Sequence, residues 1–137
     1  MVIPLSATYI ALTLLLLIGV SFRVSVFRLR HQRGMGTDGN RDFDVAVRTQ
    51  ANLAEYAPLA LIGLAVAELN GVPVAWIYWL GLIFIASRIL HVWGMISGRG
   101  GTHPARFVGI MGTWGMMVAT GLLLLWNAFG PSAWSVL

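Results

Sequence analysis

Arg48, Gln50, Asn52 and Glu55 fall within eight residues, just ahead of a segment that is apolar from Ala57 to Ala67. At 3.6 residues per helical turn, Arg48, Asn52 and Glu55 (i, i+4, i+7) share one face, while Gln50 points elsewhere, towards a neighbouring helix or subunit. The same arithmetic aligns Arg88, His91 and Met95 and carries the stripe on to Arg99. Polar stripes on apolar helices are costly in lipid and face protein or water. Arg28, Arg30 and Arg106 are available from the flanking segments. One reading is an internal ion pair from Glu55 to Arg48 or Arg88, because buried charges are usually paired. The count limits that reading. All nine positive charges are arginine, and the acids on their side are Asp38, Asp42, Asp44 and Glu55. The excess marks an anion site or a topology signal, and for Arg48 and Arg88, inside helices, a ligand role fits better. Fixed guanidinium groups suit a ligand with more than one carboxylate, each taken by paired hydrogen bonds. Glu55 suits an ammonium group on the same ligand.

The elements that must hold these residues are membrane spans. The chain has 137 residues, 58% of them hydrophobic and 10% charged, with a mean hydropathy of +0.79. One domain is the expectation. Spans are expected over residues 5–26, 44–69, 74–96 and 105–129, each with the ~20 residues needed to cross the hydrocarbon. No alternation of a membrane barrel is visible, so the class is all-α. Breakers fall between the spans in RGMGTDGN, NGVP and SGRGGTHP. Asp42 or Asp44 is expected to cap the second helix. The fourth helix carries Gly109, Gly112, Gly115 and Gly121, spacings that let helices approach closely. The N-terminal apolar run lacks a basic leader and a cleavage site, so it is read as a retained span.

The arginines surround the first and third connections and are missing from the second connection and both ends. The positive-inside rule then places both termini away from the cytoplasm. Trp76, Tyr78, Trp79, Trp126 and Trp134 are expected at the outer interface, and Trp93 nearer the inner one. So apolar a chain offers no soluble basic face for nucleic acid, despite a pI near 10.7. There is no cysteine, so any thiol belongs to a ligand, and the three histidines are too scattered to suggest a metal. Glutathione has the two carboxylates, amine and thiol that such a site suits; phosphates or acidic lipid head groups fit its charge as well.

The motifs resemble one family over nearly the whole chain, the membrane-associated proteins in eicosanoid and glutathione metabolism (MAPEG). RTQANLAEYAP matches the pattern R-x-Q-x-N-x-x-E-Y-x-P through Arg48, Gln50, Asn52, Glu55, Tyr56 and Pro58. SRILHVWG is similar to the third-helix signature, FRLR to the basic end of the first helix, and HPARFVG to the start of the fourth. The resemblance implies a four-helix bundle assembled as a homotrimer, with glutathione as co-substrate between subunits near the cytoplasmic face. It implies that Arg48, Asn52, Glu55 and Tyr56 grip glutathione and that Gln50 reaches across the interface. Arg28, Arg88 and His91 would complete the pocket, and Arg106 would face the thiol. A free thiol has a pKa of about 8.5. A guanidinium against the sulfur favours the thiolate, which attacks a lipophilic electrophile arriving through the membrane.

The sequence departs from the family pattern in three places. Met95 stands where several members place a tyrosine, Ala51 replaces an arginine of the prostaglandin-forming branch, and the loop from Gly98 to His103 is longer than in animal synthases. Two functions remain in view: a glutathione-dependent transferase or peroxidase, and a non-catalytic lipid-binding or scaffold protein of the same fold. A transporter would need a polar path to the outer face, which the apolar run of the second helix opposes.

Overall fold

A computed structural model describes residues 2–130, and the chain folds as four helices: α1 (Pro4–His31), α2 (Arg41–Leu69), α3 (Val74–Ser97) and α4 (Pro104–Phe129). Each is long and apolar enough to cross a membrane, as the hydropathy pattern predicts. Among the described residues there is no strand.

Local chemistry sets the helix ends. Proline opens α1 and α4, where its missing N–H costs nothing. The α2 cap is Asn40, whose side chain accepts from the Phe43 N–H at 3.0 Å. Asp42 and Asp44, expected as caps, lie instead in the first turn, where they still complement the helix dipole. His103 caps α4, its Nδ1 accepting from the Ala105 N–H at 3.2 Å. Two helices outrun the expected spans: α1 continues to His31 and α2 begins at Arg41. Hydropathy marks where the hydrocarbon ends, whereas a helix continues into water until the backbone turns. For α1 that turn is Gln32, which takes the left-handed conformation at φ 50°.

The core lies among Leu53, Leu64, Ile77, Phe84 and Met116, from α2, α3 and α4. Small residues let the backbones approach. A Cβ on Gly94 would lie 2.3 Å from the Arg106 nitrogen, one on Gly109 2.6 Å from the His91 nitrogen, and one on Gly112 would strike the Ser87 hydroxyl. The expectation of close packing therefore holds for Gly109 and Gly112, while Gly115 and Gly121 have no neighbour within 4 Å. The α1 helix joins α3 where Tyr9 packs on Gly81 and donates to the Tyr78 carbonyl at 2.8 Å. Trp76, Tyr78, Trp79, Trp93 and Trp126 are exposed on the bundle. Trp134 lies outside the described residues.

Two ties hold opposite ends of the bundle. At one end the Glu68 carboxylate, near the close of α2, accepts the Leu5 and Ser6 N–H groups at 3.1 and 2.7 Å and so caps α1 from another helix. At the other, Arg99 pairs with Asp42 at 2.9 Å, and Arg41 donates to the Arg99 carbonyl. The first and third connections thus meet on one side, as the arginine map requires. Glu68→Ala is expected to lower stability by roughly 0.5–2 kcal/mol, the range of a lost cap. Thermal unfolding in detergent reads that loss, with Glu68→Gln intermediate because it keeps one acceptor oxygen.

Candidate functional site

At the end where the first and third connections meet, a cavity of about 290 Å³ is lined by the N-terminal half of α2, the C-terminal half of α3 and the start of α4. That is close to the lower limit for small-ligand pockets. The α2 face contributes Arg41, Asp44, Val45, Arg48 and Asn52, α3 contributes His91 and Met95, and Arg99, Gly100 and Arg106 close it. Four guanidinium groups therefore face one lining carboxylate, Asp44. Among the described residues the ion pairs are Arg33–Asp38 and Arg99–Asp42, so Arg41, Arg48 and Arg106 are left with Asp44 as the one carboxylate in the lining.

Arg88 backs this cavity and is 1% exposed. Its guanidinium donates to Asn52 Oδ1 at 3.0 Å and to the Gly109 carbonyl at 3.3 Å, and lies over the Tyr56 ring at 5.8 Å. The internal ion pair considered for Glu55 does not form. Arg88 is held by neutral acceptors and an aromatic face, which leaves its charge to act on the cavity. Arg88 Nε is buried without an acceptor among the described residues.

His91 is 4% exposed, and its Nδ1 lies 3.3 Å from the Arg106 carbonyl oxygen. A carbonyl only accepts, so this contact keeps the proton of the neutral ring on Nδ1 and leaves Nε2 an acceptor. Nε2 is buried without a partner of its own. Both unmatched atoms are sealed behind the arginine wall rather than presented to the cavity.

Arg106 spans two environments. One of its terminal nitrogens donates to the Gly100 and Gly101 carbonyls at 2.8 and 3.1 Å, which fixes the side chain against the loop. It lines the polar cavity and also a more apolar recess formed with Thr102, His103, Pro104, Phe107 and Ile110.

The structure gathers Arg48, Asn52, His91 and Arg106 around one cavity, with Arg88 and Tyr56 behind it. It does not bring the others there. Glu55 is exposed rather than buried, because the cavity ends at Asn52, where Arg88 bonds across to α2. Gln50 is half-buried outside the lining. Arg28 turns to the Gly34 carbonyl and lies over the Phe43 ring at 5.8 Å. Sequence reasoning missed Arg41 and Asp44 as lining residues. Both lie on the Arg48 stripe at i−7 and i−4, so continuing the periodicity past the apolar window finds them.

Comparison with known proteins agrees with this architecture. The MAPEG family profile matches residues 6–126. Inner membrane protein YecN of Escherichia coli, from strain K12 and from an O6:H1 strain, is 29% identical over 125 residues, spanning 88% of this chain and 90% of the relative. Four membrane-length helices, the second-helix signature and the profile match converge: the chain belongs to the MAPEG family.

Proposed function

We propose that the protein is an inner-membrane, glutathione-dependent transferase or peroxidase acting on lipophilic electrophiles. One observation carries the reading: Arg106 borders both an arginine-walled polar cavity and an apolar recess. A polar thiol co-substrate and a lipid-soluble partner can then meet at one guanidinium. Arg48, Asn52 and His91 hold glutathione, while Arg88 orients Asn52 and adds positive potential. Arg106 stabilises the thiolate in a site of low dielectric. In conjugation the sulfur forms a C–S bond to the electrophilic carbon, the leaving group departs as an anion, and the thiol proton passes to solvent.

The remaining residues belong to a site completed between protomers of a homotrimer. Glu55 faces outward beyond the cavity's end, Tyr56 supports Arg88 at its back, Gln50 reaches across to a neighbour, and Arg28 closes the pocket from the basic end of α1. The arginine-rich end is cytoplasmic and both termini lie on the other side. The name of the Escherichia coli relative supports an inner-membrane location.

The test is turnover by purified protein of a halonitrobenzene and of a lipid hydroperoxide with glutathione, alongside calorimetric glutathione binding. Arg48→Ala is expected to raise the KM for glutathione about tenfold, the effect of losing one charge-assisted hydrogen bond. No glutathione binding by the wild type overturns the reading. Binding without turnover favours the second reading, a non-catalytic lipid-binding or scaffold protein. That alternative draws on the Arg106 bonds to Gly100 and Gly101, which engage part of its donor capacity within the chain.

A further inference from the structure

The end of α1 and the turn after it carry Arg23, Arg28, Arg30 and Arg33, and their surroundings divide them into two pairs. Arg28 donates to the Gly34 carbonyl, and Arg33 pairs with Asp38. Arg23 and Arg30 make no hydrogen bond or ion pair among the described residues. These two stand seven residues apart on one face of the helix, about 10 Å along its axis. That face lies about a quarter turn round from the one buried through Thr13, Val20 and Val24, on the opposite flank from Arg28.

Arg23 falls inside the apolar span, near its end, where an unpaired cation is costly. Its guanidinium lies over the Phe27 ring at 5.9 Å, one turn nearer the basic end of the helix. The head is therefore turned out of the hydrocarbon and towards Arg30. The Arg30 side chain leaves its Cα tilted back towards the helix N-terminus, so the two heads approach each other. Stacking on Phe27 uses one side of the Arg23 guanidinium and leaves its N–H edge free. In the other direction the same face runs into the membrane through Gly19, Leu16 and Leu12, at i−4, i−7 and i−11 from Arg23. Leu12 is exposed and Leu16 partly buried, and a Cβ on Gly19 would meet nothing within 4 Å. The track is open, with a notch one turn below the arginine.

We infer that this flank of α1 seats an anionic phospholipid of the leaflet at the arginine-rich end, its phosphate held by Arg23 and Arg30 and one acyl chain lying along Gly19, Leu16 and Leu12. Charge and depth both point to that occupant. Convergent guanidinium groups match phosphate oxygens by paired N–H donors, and a zwitterionic lipid would bring an ammonium group against them. Arg23 stands where the apolar span gives way to the basic connection, the level at which lipid phosphates lie. A free phosphate would use the arginines alone, whereas a lipid uses the arginines and the apolar track together. The seat does not depend on the proposed reaction, because neither arginine lines the polar cavity.

The experiment titrates the purified full chain in neutral detergent with phosphatidylglycerol or phosphatidylcholine and reads the tightest bound lipid by native mass spectrometry. The wild type is expected to favour phosphatidylglycerol by about tenfold or more. Arg23→Gln and Arg30→Gln should each weaken phosphatidylglycerol by about fivefold, the effect of one basic residue beside an anionic head group, and leave phosphatidylcholine unchanged. Arg23→Lys keeps the charge without the planar fork and should recover part of the loss. Arg33→Gln, at an exposed arginine already paired with Asp38, should stay within about twofold of the wild type. Thermal unfolding of the same samples should be unchanged in Arg23→Gln and Arg30→Gln, since neither side chain bonds within the chain. Equal losses in all three glutamine variants would mean diffuse attraction to a basic surface and overturn the inference. So would competition by inorganic phosphate at matched ionic strength, or a wild type that does not discriminate between the lipids, as when a second copy of the chain covers this face.

Discussion

Arg106→Ala is expected to reduce kcat/KM for conjugation by about 10²–10³-fold, the size of effect seen when one preorganised donor to a developing or stabilised anion is removed. Arg106 borders both the polar cavity and the apolar recess and is held there from the loop. Its bonds to the Gly100 and Gly101 carbonyls fix it before any ligand arrives, so no reorganisation is needed when the sulfur ionises. Arg48, Asn52 and His91 remain, so glutathione affinity should fall by much less than kcat. The ultraviolet absorbance of bound thiolate should disappear with the side chain. Arg106→Lys keeps the charge but loses the second terminal nitrogen and Nε, which the Gly100 and Gly101 carbonyls leave unused, and should recover only part of the rate. Unfolding temperature must be followed in parallel, because the loop loses two hydrogen bonds. A thiolate signal that survives in Arg106→Ala would move the sulfur contact to another guanidinium, with Arg48 the first candidate.

Gly94→Ala is expected to damage fold and site at once. A Cβ there would lie 2.3 Å from the Arg106 nitrogen and 2.8 Å from its Cα, both backbone atoms at the start of α4. Carbon contacts settle near 3.5–4.0 Å, so α4 must shift by roughly 1 Å or more. Overpacking of this kind costs about 1–3 kcal/mol. The shift also moves the Arg106 side chain, proposed to face the sulfur, and pulls its carbonyl from His91. A displacement of about 1 Å can cost 10² in rate. Thermal unfolding and steady-state kinetics on one sample distinguish the two losses. Gly115 is the comparison: with no neighbouring atom within 4 Å, alanine there should cost little unless another protomer packs against it.

The bundle was legible in the sequence because hydropathy reports the length of each span, and all four spans fall within the observed helices. The boundaries were less so. The five residues from Phe27 to His31 remain helical while carrying Arg28 and Arg30, and a hydropathy window sees only their polarity. Asn40 displaced the two aspartates as cap because helix starts are set by one side-chain bond to the backbone, and Asn, Asp and Ser compete for it almost equally. In the site, periodicity placed Arg48 and Asn52 on the cavity and aligned His91 with Met95. It could not place the cavity's ends. Glu55 shares the face of Arg48 by arithmetic, but the cavity stops at Asn52, where Arg88 bonds across to α2, and Glu55 lies exposed beyond it. Periodicity along one helix does not say which residue of that face a neighbouring helix reaches, so Glu55 stayed a candidate partner for Arg88, which the structure gives to Asn52 and a backbone carbonyl.

The two ties at opposite ends of the bundle bear on how the chain enters the membrane. Glu68 caps α1 from α2, so its bonds lie wholly within the first helical hairpin and can form once residues 4–69 have left the ribosome. The Arg99–Asp42 pair and the Arg41 bond to Arg99 join the first connection to the third, and form only after the second hairpin has been delivered. Biogenesis then has a natural order. One hairpin lodges with its polar end satisfied, and the arrival of the second both locks the loops together and closes the arginine-walled cavity, so the site exists only in a fully inserted chain.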